Sequence, residues 1–251
     1  MAKIFITGSA DGLGQLVARD LIAQGHEVVL HARNAERAQQ AMASTPGASD
    51  VLLADVSTIA ATTQLAEAAN KLGRFDAVIH NAGIYQVPRN SITADGLPLL
   101  FAVNSLAPYI LTCLMHRPAR LVYMSSGMHL QASGDLSTLS AAGHYSRLTY
   151  SDTKYHDLIL ARAAARMWPG VYANAVDPGW VPTKMGGPGA PDSLEQGYQT
   201  QVWLATSSDK EALVSGCYFH HKKQQRHLPA PADIQEKFLA ACQELTGVAF
   251  K

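Results

Sequence analysis

Short apolar runs alternate with helical segments along nearly the whole chain, and no other feature constrains the fold as tightly. The runs that read as strands are Lys3–Thr7, Glu27–Ala32, Asp50–Ala54, Ala77–His80, Arg120–Ser125 and Val171–Val176, with a further one at Gly216–Phe219. Helices are predicted from Gly12 to Gln24 (closed by Gly25), from about Asn34 to Ala43, and from Thr58 to Leu72. Two more run from about Asp95 to Met115 and from Tyr150 to Trp168. Most of the strands are continuously apolar rather than alternating. Such strands belong in a parallel sheet covered on both faces, so the expected architecture is a doubly wound α/β fold. The chain has 251 residues and no repeat, low-complexity tract or long linker, so 1–251 is expected to form a single domain. The Gly/Pro-rich stretch Pro182–Pro191 reads as a mobile loop within it.

Composition narrows the function. Hydrophobic residues are 47% and charged residues 16%, ample for a core. Lys+Arg and Asp+Glu are both 20, so the formal net charge is zero and neither nucleic acid nor a membrane surface is an expected partner. Cys113, Cys217 and Cys242 are too few and too scattered for a disulfide framework, which fits a reducing compartment. A first strand at Lys3 leaves no room for a signal peptide, and no apolar run could span a bilayer, so a cytoplasmic location is expected. His220-His-Lys-Lys223 with His227 lacks a nearby acid or cysteine set. It reads as a solvated basic turn, and no metal is expected.

Thr7-Gly-Ser-Ala-Asp-Gly-Leu-Gly14 joins the first strand to the first helix. Glycines at 8, 12 and 14 permit a tight turn and a close backbone approach, and the helix N-terminus offers free N–H groups to a pyrophosphate. The second strand ends in His31-Ala32-Arg33-Asn34, with no carboxylate to bind a ribose 2′-hydroxyl. Arg33 instead suits a 2′-phosphate, so NADP(H) is expected rather than NAD. Asp55 and Asn81-Ala-Gly83 stand at the ends of strands three and four, where such sheets bind ligands. Asp55 can accept from an adenine amino group; Asn81 serves equally well as a turn cap.

Tyr150 and Lys154 are four residues apart at the start of a predicted helix, and so share a face. The ammonium is expected to lower the phenol pKa from its ordinary value near ~10, making a general acid/base. Pro108 lies four residues after Asn104. Proline has no N–H, so the Asn104 carbonyl loses its helical partner and the helix should kink there, leaving an acceptor that water can serve.

The ordered set Thr7-Gly-x-x-x-Gly-x-Gly14, Asp55, Asn81-Ala-Gly83, Asn104, Ser125-Ser126, Tyr150-x-x-x-Lys154 and Pro178-Gly179 resembles the short-chain dehydrogenase/reductase superfamily, in its single-domain Rossmann-like form. The long Ser126–Tyr150 spacing and Ser215-Gly-Cys-Tyr-Phe219 look most like its retinol-dehydrogenase-like branch. The resemblance implies a catalytic set: Tyr150 as acid/base, Ser126 (rather than Ser125) polarising a carbonyl, Lys154 holding the nicotinamide ribose, and Asn104 supporting a water relay. It also implies cofactor contacts from Gly8, Ser9, Asp11, Gly12, Leu13, Gly14, Arg33, Asn34, Asp55, Val56, Asn81, Ala82, Gly83, Pro178 and Gly179, with Val181 and Thr183 facing the carboxamide.

The implied activity is interconversion of a ketone or aldehyde with an alcohol, on a small-molecule substrate. A non-catalytic NADP(H) sensor on the same fold is the alternative. An extended sugar-nucleotide epimerase is disfavoured by the glycine spacing and by the lack of a larger C-terminal substrate domain. Family members often dimerise through the Asn104 and Tyr150 helices. Here only His116-Arg-Pro-Ala119 separates the first of these from the fifth strand, which puts that interface in doubt and leaves a monomer open. Gly127–Thr149 is expected to be a flap beside the site. Met128, His129, Tyr145, Tyr85, Trp180 and Met185 are candidate pocket residues by position, each equally suited to ordinary packing.

Overall fold

The structure, a computed structural model, describes residues 1–88, 91–139 and 148–251. One sheet runs through it. Its strands are β1 (Lys3–Ile6), β2 (Glu27–Ala32), β3 (Asp50–Leu53), β4 (Ala77–His80), β5 (Arg120–Met124), β6 (Tyr172–Asp177), β7 (Tyr218–His220) and β8 (Lys223–Gln224). Their order is β3-β2-β1-β4-β5-β6-β7-β8. Every neighbouring pair through β7 is parallel; the expected all-parallel sheet is corrected only at its edge, where β8 pairs antiparallel with β7. That hairpin turns on His221 and Lys222, at φ 49° and 60°, the left-handed pair that a two-residue turn requires. The His/Lys cluster is therefore a turn.

The helices are α1 (Gly12–Ala23), α2 (Ala35–Ser44), α3 (Ile59–Lys71), α4 (Leu99–Phe101), α5 (Ala107–Leu114), α6 (Tyr150–Met167), α7 (Leu194–Thr206) and α8 (Ala232–Thr246). They cover both faces of the sheet. Phe5, Val29, Val78 and Leu121 point into a core shared with α3, α5, α6 and α8. Ile4, Ile6, Val28, Leu30 and Ile79 point into a second core with α1 and α7. Residues from β1, β2 and β4 thus enter both cores, which is why their strands read as unbroken apolar runs.

The helix expected from Asp95 begins at Leu99 instead. Residues 91–98 close a turn in which Thr93 N–H donates to Leu97 and the Asp95 carboxylate accepts from Ile59 N–H. Beyond α4 the chain passes through a π-helical turn, Ala102–Leu106, before α5. Helices α7 and α8 have no counterpart in the sequence reading. Pro231 before α8 and a left-handed Gly247 after it are ordinary boundary signals that mark the second.

Candidate active site

The turn after β1 is built to hold its own shape. Gly8 sits at φ 63°, and a Cβ there would lie 2.8 Å from Ala82 Cα; one on Gly14 would lie 2.4 Å from Asn81 Nδ2. Asn81 Nδ2 donates to the carbonyls of Thr7 and Gly8, both at 3.0 Å, while Asn81 and Ala82 N–H donate to Thr7 Oγ1. His31 accepts from Gly8 N–H at Nδ1, so its Nε2–H donates to the Ala54 carbonyl. Burial pushes this histidine's pKa down and keeps it neutral. The Ser9 hydroxyl is fully buried, donating to Ile6 O and accepting from His31 N–H, a structural use of its side chain. Asn81 likewise serves as a turn cap.

Downstream of those committed groups, the first turn of α1 is open. Asp11 stands at the N-cap position yet makes no side-chain cap bond. Its carboxylate is paired instead with Arg37 and with Lys184 Nζ at 3.0 Å. Burial raises the Asp11 pKa, and the two cations outweigh it to give a net lowering. The backbone N–H groups of Gly12, Leu13 and Gly14 thus lie uncapped at a helix N-terminus beside two cationic side chains, which fits a pyrophosphate. Arg33 is exposed just past β2. Asn34 caps α2 through Arg37 N–H, a structural use of its side chain. Arg37, missed in the sequence, is a second guanidinium at this end. Asp55 is exposed, its carboxylate accepting from Ser57 N–H, and Val56 is buried in the core beneath it.

At the far end, Thr149 and Asp152 form a reciprocal capping box that starts α6 at Tyr150. The Lys154 ammonium lies 5.5 Å from the centre of the Tyr150 ring and donates to the Met124 carbonyl at 2.6 Å and to Asp157 Oδ2 at 2.9 Å. Tyr85 packs edge-on against Tyr150, with ring centres 4.7 Å apart. The expected lowering of the Tyr150 pKa does not hold in these surroundings. Burial raises it, Lys154 lowers it, and Asp157, Asp177 and Tyr85 add to the raising, for a net upward shift.

The two serines separate cleanly. Ser125 is buried and donates to the Lys154 carbonyl at 2.7 Å, whereas Ser126 is half-buried and, among the described residues, its oxygen accepts from Met128 N–H alone. Asn104 is buried and its side chain is fully engaged: Oδ1 accepts from Ile84 N–H, and Nδ2 donates to Ile84 O and Thr153 Oγ1. It pins the segment after β4 to α6. The kink expected at Pro108 takes the form of the π turn centred on Asn104, in which Ala107 N–H reaches Ala102 O, five residues back.

His129 has both ring nitrogens bonded within the chain. Its Nε2 accepts from Leu228 N–H, so Nδ1–H donates to Ser126 O, and burial pushes its pKa down. The flap's described parts form 3₁₀ turns at Gly127–Gln131 and Leu136–Thr138; Tyr145 lies outside the described residues. The Gly/Pro-rich loop expected to be mobile is closed by hydrogen bonds. Gly187 N–H donates to Thr183 O, Trp180 Nε1–H to Gly186 O, and Trp180 N–H to Asp192. Gly179, at φ 80°, follows Pro178 and donates to Asp177 Oδ1. Val181 is buried against Gly197 of α7, and Thr183 is half-buried, its Oγ1 accepting from Gly186 N–H. Trp180 and Met185 are exposed.

Comparison with known proteins identifies the family. The model of the short chain dehydrogenase family matches residues 2–193. An uncharacterized oxidoreductase of Emericella nidulans is 48% identical over 99% of this chain and 98% of its own length. Retinol dehydrogenase 14 of Homo sapiens is 29% identical over 92% of this chain and 81% of its own. The crystal structure of a blue fluorescent protein from a metagenomic library, in complex with NADPH, superposes with a TM-score of 0.68 at 22% identity, covering 87% of this chain and 95% of that one. The chain belongs to the short-chain dehydrogenase family of oxidoreductases.

Proposed function

We propose that residues 1–251 act as one NADP(H)-binding domain that interconverts a ketone or aldehyde with its alcohol. One observation carries the reading: the Tyr150 phenol stands at the start of α6 with the buried Lys154 ammonium one turn on, beside the end of β5, on the edge of the sheet where ligands bind. NADP(H), when bound, supplies or takes the hydride. The uncapped N–H groups of α1 suit its pyrophosphate, and Arg33 and Arg37 its 2′-phosphate. Tyr150 gives a proton to the carbonyl oxygen in reduction and takes it back in oxidation. Ser126, the serine left free by Ser125's bond to α6, orients that oxygen. Lys154 keeps positive charge against the phenol and, beyond its two bonds among the described residues, has a third N–H.

The test is NADPH oxidation over a panel of aldehydes, ketones, quinones and steroids. Tyr150→Phe is expected to lower turnover by about 10²–10⁴-fold and leave NADPH binding intact. Full activity in that variant, or no turnover of any carbonyl by the wild type, overturns the proposal.

The chain's own C-terminal segment lies over the helices through which family members often pair: Tyr109 Oη–H donates to Val248 O, and Trp168 of the α6 end stacks on Phe250. We infer a monomer.

A further inference from the structure

The Lys154 ammonium has a partner that the Asn104, Ser126 and Tyr150 set does not account for. Asp157 follows one turn later on α6, its Oδ2 2.9 Å from Lys154 Nζ, and the two side chains are only 3% and 5% exposed. With the Met124 carbonyl, this engages two of the three ammonium protons inside the chain. The lysine is thereby fixed beside Gly83, where a Cβ would lie 3.7 Å from Nζ. Burying a carboxylate carries a desolvation penalty of several kcal/mol. An asparagine would offer the same acceptor without it. What a carboxylate alone adds is charge.

We propose that Asp157 is a positioning residue of this site: it anchors the Lys154 ammonium in its buried seat, and its negative charge opposes that ammonium's pull on the Tyr150 phenol. The inference rests on reading Tyr150 as the proton carrier. Burial is the larger cause that holds the phenol up, and Asp157 adds to it against the Lys154 pull. Burial pushes Asp157 itself up to about 7, so it carries its charge above neutrality. Lys154 has burial working against its charge, outweighed by Asp157 and Tyr150, for a net upward shift.

The other titratable groups around the pair are Tyr123 on β5, which bonds Thr112, Asp177 at the end of β6, Tyr85 after β4, and Tyr218 on β7. Among the described residues, none of these bonds the ammonium.

Tyrosinate absorbance at 295 nm tests the coupling without a substrate. The chain has nine tyrosines, so Tyr150 is isolated as the difference between each protein and its own Tyr150→Phe partner. Removing one negative charge lowers the pH at which every neighbouring proton leaves. In Asp157→Asn the Tyr150 transition is expected at least one pH unit lower than in wild type. Asp157→Glu, which keeps the charge, is expected to return most of the shift. Should Asp157→Asn not fold, Asp157→Ser makes the same comparison. A carboxylate with a merely structural role would lower the melting temperature and leave the transition in place; superimposable titrations overturn the inference. Activity separates the two failures. Loss of turnover in Tyr150→Phe with an unshifted Asp157→Asn titration sinks this inference alone, whereas an active Tyr150→Phe sinks the proposed reaction and this inference with it.

Discussion

At the scale of single residues, neighbours decide what a side chain does. Arg33 and Arg37 stand where a 2′-phosphate is expected, and charge-assisted bonds to such a group are worth about 1.5–3 kcal/mol each. Arg33→Ala and Arg37→Ala are each expected to weaken NADPH binding about tenfold or more and leave NADH binding nearly unchanged; fluorescence titration with both nucleotides measures it. Arg33 was legible at the end of an apolar run. Arg37 was not, because only the fold brings it to Asp11. Two buried histidines make a second prediction. Burial holds the pKa values of His80 and His156 down at about 3, far below 6.5. Depressed folded-state values mean that the unfolded chain binds more protons. The stability they contribute is present above pH 6.5 and drains away as pH falls toward 3. Urea midpoints between pH 6 and pH 4 are expected to fall with up to about 2.7 kcal/mol per pH unit from this pair, two protons' worth. A flat profile would contradict it.

At the scale of elements, the start of α6 is set by Thr149 and Asp152, which satisfy each other's N–H groups. Thr149→Ala is expected to cost about 1 kcal/mol by denaturant melting, and to lower activity because the same cap places Tyr150 in the first turn. Elements whose boundaries follow from local chemistry were read within a residue or two: β2 and β4 match throughout, and α1 ends where Gly25 turns left-handed. The helix start at Asp95 was misplaced because Asp95 serves a distant element, accepting from Ile59 at the head of α3. The π turn at Asn104 was foreshadowed by Pro108, which cannot donate to the turn before it. That Asn104 would turn its side chain to Ile84 and Thr153 had no local signal. Asn104→Ala removes three bonds from a buried site. It is expected to destabilise the fold by about 1–3 kcal/mol and to loosen the Tyr85 segment, seen as a raised KM together with a lower melting temperature.

At the scale of the whole molecule, the strand order brings residues from 7 to 192 to one edge of the sheet, and the C-terminal segment closes the opposite side of α6. Trp168 and Phe250 stack with ring centres 4.6 Å apart, Arg117 lies over Trp168, and Tyr109 bonds the Val248 carbonyl. Sedimentation is expected to give a particle of 26.9 kDa, and Phe250→Ala to cost about 2 kcal/mol and to promote association by baring that face. A dimer in the wild type would contradict it. The amino-acid order by itself determined the α/β alternation, the glycine turn and the Tyr150–Lys154 spacing, because periodicity, glycine conformation and helical spacing are local properties of a chain. Only the tertiary structure decided that Ser125 rather than Ser126 bonds α6, that Asp11 draws in Arg37 and Lys184, and that Asp157 bonds the Lys154 ammonium beside Tyr150. Those outcomes depend on burial and on distances between side chains, which sequence spacing does not carry.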